Sequence, residues 1–147
     1  MKHYLGIDIG GTKTSVTIWS VCEGAEPALE SKDTIRTRDY SAPADAIGAI
    51  VATARSHIAE RSIQTSQITA AGISCGGPLD RDAGLILSPP NLPGWDRVPI
   101  VDVVSEALGV PAAIENDANA CALAEWKFGA GRGLEHMVFL TFGTGLG

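Results

Sequence analysis

The chain has 147 residues, 45% hydrophobic and 19% charged, which is enough apolar material for one domain with its own core and too little charge for a disordered segment. Eleven Lys and Arg against 17 Asp and Glu give a formal net charge of -6 with no basic cluster, which argues against a nucleic-acid partner while leaving room for one local phosphate site. The apolar run at the N-terminus is short and carries Asp8, so it is neither a signal core nor a membrane span, and no membrane partner is expected.

His3 to Ile9 reads as a buried strand closed by Gly10-Gly11. Thr14 to Val21 alternates and is β-branched, which predicts a second strand returning antiparallel. Leu29 to Thr37 is a weaker third strand. Pro43 opens a helix whose Ile47, Ile50, Val51, Ala54 and Ile58 share one face. Ile68 to Ser74 is a further strand that stops at Gly76-Gly77-Pro78. A loop-rich stretch, Leu79 to Trp95, follows, with a hairpin turn at Asp82-Ala83-Gly84. Pro99 starts a second helix, with Ile100, Val103, Val104, Ala107 and Leu108 expected inward and Gly109 placed to end it. Pro111 to Glu115 is a short strand, and a third helix runs from near Asp117 to about Phe128. Gly129, Gly131 and Gly133 form a flexible joint before a last strand, His136 to Phe142. Three strands joined by short turns, then alternating helix and strand, predict an α/β fold with a mixed sheet and helices on its faces.

Cys22, Cys75 and Cys121 are too few and too scattered for zinc-finger spacing or a disulfide framework, which fits a reduced, cytoplasmic setting. Cys75 reads as a small buried apolar residue, and His3, His57 and His136 as structural. Leu5 to Thr12 and Val138 to Gly145 share a pattern of apolar strand followed by a Gly/Thr turn, as if a second copy of one unit begins near residue 136. A glycine-rich turn normally feeds another element, so a second lobe is expected beyond Gly147.

Chemistry concentrates where strands end. In Asp8-Ile9-Gly10-Gly11-Thr12-Lys13, glycines let backbone amides approach a phosphate, Thr12 and Lys13 add a hydroxyl and a charge, and Asp8 can face Mg²⁺ directly or through water. Taken alone, this is equally an ordinary hairpin turn. The spacing of Gly6 to Gly11 is Walker-like, but Thr12 stands where that loop requires Lys. Gly143-Thr144-Gly145 is a second turn of the same kind, and two such turns can grip one polyphosphate. Asn116 and Asp117 lie between a strand and a helix, at the strand end where open α/β sheets bind ligands. Asp117 could simply cap the helix, or it could accept a proton from a hydroxyl that attacks phosphorus. Asn116 can hydrogen-bond a neighbouring hydroxyl. Gly76-Gly77 can bring backbone close to a ligand or merely form a turn. Asn91 and Trp95 can line a sugar pocket or simply pack a surface loop. Asn119 and Glu125 read as a first-turn polar residue and a solvated helix position.

Five segments in series, Gly6 to Lys13, Gly72 to Pro78, Ser88 to Trp95, Glu115 to Ala120 and Leu140 to Gly147, resemble the ROK family of sugar kinases and sugar-responsive repressors, and they span the chain. The resemblance implies an RNase H-like lobe of the actin-like ATPase type over residues 1–135, with residues 136–147 opening a second lobe and ATP and sugar bound between the two. It implies an ATP-dependent kinase for a hexose or N-acetylhexosamine, with Asp117 as general base acting on the 6-OH. Gly76, Gly77, Asn91 and Asn116 would contact sugar. Asp8 would lie near Mg²⁺, with Gly10, Gly11, Thr12, Lys13, Gly143, Thr144 and Gly145 on the phosphates. A zinc cluster, the adenosine pocket and further sugar ligands belong to the second lobe, so this chain alone is expected to be inactive. A homodimer is the expected assembly. The alternative is the sugar-sensing part of a ROK repressor. Repressors carry a helix-turn-helix ahead of the lobe, whereas here the first strand begins within a few residues of Met1.

Overall fold

The computed structural model describes residues 1–142. Its strands are β1 (Lys2–Ile9), β2 (Thr14–Val21), β3 (Ala28–Ile35), β4 (Ile68–Cys75), β5 (Leu79–Asp80), β6 (Leu85–Ile86) and β7 (Ala112–Asn116), and its helices are α1 (Pro43–Glu60), α2 (Ile100–Leu108) and α3 (Asp117–Phe128). Five strands form one sheet in the order β3-β2-β1-β4-β7, while β5 and β6 pair as a separate hairpin. β1 is antiparallel to β2 and parallel to β4, and β4 is parallel to β7. The expected mixed sheet is therefore present, with its sign change at β1.

Alternation decides which face is buried. In β1, Leu5, Ile7 and Ile9 point into the core while Gly6 and Asp8 point away; in β2, Thr14, Val16, Ile18 and Ser20 point inward. α1 and α2 cover this face, with Ile47, Ile50, Val51 and Ala54 from α1 and Ile100, Val104 and Leu108 from α2. Gly109 ends α2 at φ +68°, a left-handed conformation that its missing side chain permits. His57 is also buried on α1. Its Nδ1 lies 3.0 Å from Ser31 Oγ and its Nε2 2.8 Å from Asp33 Oδ2, which ties the edge strand β3 to the helix.

Several expectations need correcting. β3 stops at Ile35; Thr37 enters a 3-10 turn, where its Oγ1 meets Thr14 Oγ1 at 2.8 Å in the interior. Val103 faces outward, because the nine-residue α2 rests on one row, whereas Ala107 and, on α1, Ile58 are half-buried against the core. Glu125 is not merely solvated: its Oε2 accepts the Ala130 N–H at 2.9 Å. The glycine joint is a folded turn. Gly131 N–H donates to Glu125 O, and Trp126 Nε1 donates to Leu134 O. No strand forms over His136 to Phe142; residues 138–141 carry no regular structure, and Phe142 is a lone bridge position. The described sheets include no ladder over residues 136–140. Among the described residues no helix is long and apolar enough to cross a membrane.

Candidate functional site

Register builds the site before any side chain is considered. Ile9 pairs with Cys75, and Cys75 with Asn116. The parallel strands β1, β4 and β7 thus end in one row, and the residues that follow, Gly10-Gly11, Gly76-Gly77 and Asp117, leave the sheet at the same edge. One residue earlier, Asp8, Ser74 and Glu115 form a second row on the face away from α1 and α2.

The first turn is held by the Gly10 N–H, which donates to Lys13 O at 3.0 Å. That amide is committed to the turn and is not free for a ligand. Among the described residues, the Gly11 and Thr12 amides and the Lys13 ammonium have no partner, so they remain available to an anion. Asp8 Oδ1 accepts from Ser74 Oγ at 2.7 Å, which leaves its second oxygen to the solvent side. Among the described residues no three of His, Cys, Asp and Glu gather as a metal cage. An exposed carboxylate beside a turn with free amides fits Mg²⁺ held largely by phosphate and water.

The loop after β6 brings in the second wall. Ser88 N–H donates to Trp95 O at 2.8 Å and Ser88 Oγ to Asp96 Oδ1 at 2.9 Å, closing the loop on itself. Leu92 and Trp95 are its buried anchors, so Trp95 packs the core and does not line a pocket. Between them Asn91 stays exposed. Its carbonyl lies so close to Gly11 that a β-carbon at Gly11 would collide with it. Its side chain faces Gly76, where a β-carbon would stand 3.7 Å from Asn91 Oδ1 and 3.7 Å from Asp117 Oδ2. The chain of neighbours Gly11, Asn91, Gly76 and Asp117 therefore links the Gly10–Lys13 turn to the Asp117 carboxylate along one edge of the sheet.

At the third corner, Asn116 caps α3. Its Oδ1 accepts from the N–H of Ala118 at 3.1 Å and of Asn119 at 3.4 Å. The cap uses the oxygen and leaves Nδ2, which lies 3.6 Å from where a β-carbon of Gly77 would be. Asp117 Oδ1 accepts from Ala118 N–H at 2.8 Å, so Oδ2 is the oxygen turned toward Gly76. Asp117 is thus a first-turn residue bound to the helix start, with one oxygen left over for other chemistry.

Cys75 sits behind these groups. Burial, then the charges of Asp117 and Asp8, push its thiol up to about 12. At pH 8 its thiolate fraction is about one in 10⁴. Alkylation of the native protein at that pH is expected to modify the exposed Cys22 and Cys121 and to spare Cys75 until denaturant is added. Peptide mapping checks this, and labelling of Cys75 at a comparable rate would show that the row is open from behind.

Sequence reasoning missed three residues here. Ser74 holds Asp8, and Arg81 Nη1 donates to Glu115 Oε2 at 3.1 Å. Period-two alternation from Cys75 could have placed Ser74 on the outer face, but its pairing with Asp8 required the β1–β4 register. Gly143, Thr144 and Gly145 lie outside the described residues.

The ROK family pattern matches residues 4–147. A glucokinase of Thermotoga maritima is 38% identical over 146 residues, covering 97% of this chain and 42% of that protein. The crystal structure of a ROK hexokinase from Thermus thermophilus superimposes with a TM-score of 0.83 at 34% identity, over 99% of this chain and 45% of the other. A Streptomyces griseus ROK glucokinase, solved with glucose and AMPPNP, gives a TM-score of 0.73 at 32% identity, over 99% and 43%. The chain thus spans less than half the length of these relatives. Its fold is that of an actin-like ATPase lobe, and the chain belongs to the ROK family.

Proposed function

We propose that the protein is an ATP-dependent sugar kinase acting on a hexose or N-acetylhexosamine, with the 6-OH as acceptor and Asp117 as general base. The observation that carries this reading is the continuity of the Gly10–Lys13 turn with the Asp117 carboxylate through Asn91 and Gly76. A hydroxyl lying between Asn91 and Gly76 can give its proton to Asp117 Oδ2. Asn116 Nδ2 and the Gly77 backbone then orient the neighbouring hydroxyls of the same ring. The Gly11 and Thr12 amides and Lys13 face the phosphates. When bound, ATP supplies the phosphoryl group, and Mg²⁺ near Asp8 offsets its charge. Residues 1–135 are the first lobe and 136–147 lead into a second, whose contacts complete the cleft and select the sugar.

The test is coupled ADP release by the full-length gene product with Mg²⁺ and ATP across glucose, fructose, mannose, allose, N-acetylglucosamine and N-acetylmannosamine. Sugar-dependent release with at least one of them is expected. ADP release that stays at background with every sugar overturns the reading.

A further inference from the structure

Glu115 shares its row with Asp8 and Ser74, and three donors converge on it. Its Oε1 accepts from the Asn116 N–H at 2.9 Å and from Asn119 Nδ2 at 3.1 Å, and its Oε2 accepts from Arg81 Nη1 at 3.1 Å. In the usual capping box, the third helical residue accepts the N–H of the cap residue. Here Asn119 holds that third position and donates instead, while Glu115, just before the cap, takes the cap's N–H. One carboxylate thus knots together the residue before the helix, the cap and the first turn. These bonds, led by that from Asn119, hold the Glu115 carboxyl below the usual range.

Arg81 comes from the turn between β5 and β6, and that hairpin directly follows Gly76-Gly77-Pro78. The Arg81–Glu115 pair therefore ties together the two segments that carry Gly76, Gly77, Asn116 and Asp117. The Arg81 side chain is 64% exposed, so the pair adds little to folding stability. Its geometry matters more than its energy.

Resting on the kinase reading, we propose that Glu115 is a positioning residue, fixing the first turn of α3 so that Asp117 Oδ2 and Asn116 Nδ2 face the sugar. The experiment compares Glu115→Ala with Glu115→Gln in the full-length gene product. The glutamine keeps an oxygen for the Asn116 and Asn119 donors, whereas the alanine keeps none. Glu115→Ala is expected to lower kcat on the order of 10–100-fold, as small misplacements of a catalytic group do. Its KM for ATP stays within about twofold, because that binding is not disturbed. Glu115→Gln is expected to stay within about threefold of wild-type kcat. Amide exchange at Ala118 and Asn119 should quicken in the alanine variant and not in the glutamine one. Wild-type kcat in Glu115→Ala, equal damage in both variants, or unchanged exchange in Glu115→Ala overturns the proposal. Absence of sugar phosphorylation by the wild type defeats the kinase reading instead, and the exchange data still decide the role of Glu115.

Discussion

Asp117→Asn in the full-length gene product is expected to lower kcat by about 10²–10⁴-fold, the share that a positioned base contributes, while sugar affinity stays within about threefold. The two effects separate because the carboxylate has two oxygens in different employment. Oδ1 accepts from the Ala118 N–H, and the amide oxygen of asparagine can accept there equally well. The start of α3 is therefore preserved, and with it the cap made by Asn116. Oδ2 faces Gly76 and Asn91, and an amide nitrogen there cannot take a proton. Coupled ADP release measures the first effect and calorimetric sugar titration the second. Near-normal turnover in this variant would place the base elsewhere.

Gly76→Ala is the complementary substitution, because it leaves the base intact and fills the space in front of it. The added methyl would stand 3.7 Å from both Asn91 Oδ1 and Asp117 Oδ2, which is ordinary contact, so the fold can accept it. On the kinase reading, it would occupy the gap through which a sugar hydroxyl reaches those two groups. The KM for sugar is expected to rise on the order of 10–100-fold, about 1.4–2.8 kcal/mol of lost binding. The KM for ATP and the melting temperature should change little. Steady-state kinetics with each substrate varied in turn, alongside a thermal melt, make the comparison. An unchanged sugar KM would mean that sugar does not pass between Asn91 and Asp117. Gly11 offers no such space, since the Asn91 carbonyl already occupies the position of its β-carbon.

What the sequence made legible was set by local periodicity. β1 was visible as a short apolar run closed by Gly10-Gly11, and β2 because its residues alternate and are β-branched. α1 and the Gly109 stop of α2 were visible from helical spacing and turn chemistry. The positions of Gly76, Asn116 and Asp117 at strand ends and of Asn91 in a loop were legible, without any distance between them. Pairing partners were not legible. The Ser74 bond to Asp8 and the Arg81 bond to Glu115 join residues 66 and 34 positions apart, and no local pattern encodes them. Trp95 misled because an aromatic residue in a Pro-rich loop reads the same whether it anchors the loop or lines a cavity. The strand expected over His136 to Phe142 is not formed over residues 136–141, because an apolar run states a preference that context overrides.

The change of direction at β1 also has a kinetic side. Its pairing with β2 closes over a four-residue turn, so the β1–β2 hairpin, with β3 added, can form on its own early. The β1–β4 pairing must first close a loop of some sixty residues. The Gly10–Lys13 turn can therefore form in a local step, whereas its approach to Asp117 needs the non-local docking of β4 and β7. On the kinase reading, competence to bind sugar during refolding is expected to arrive with the final cooperative phase, later than the secondary structure of the hairpin.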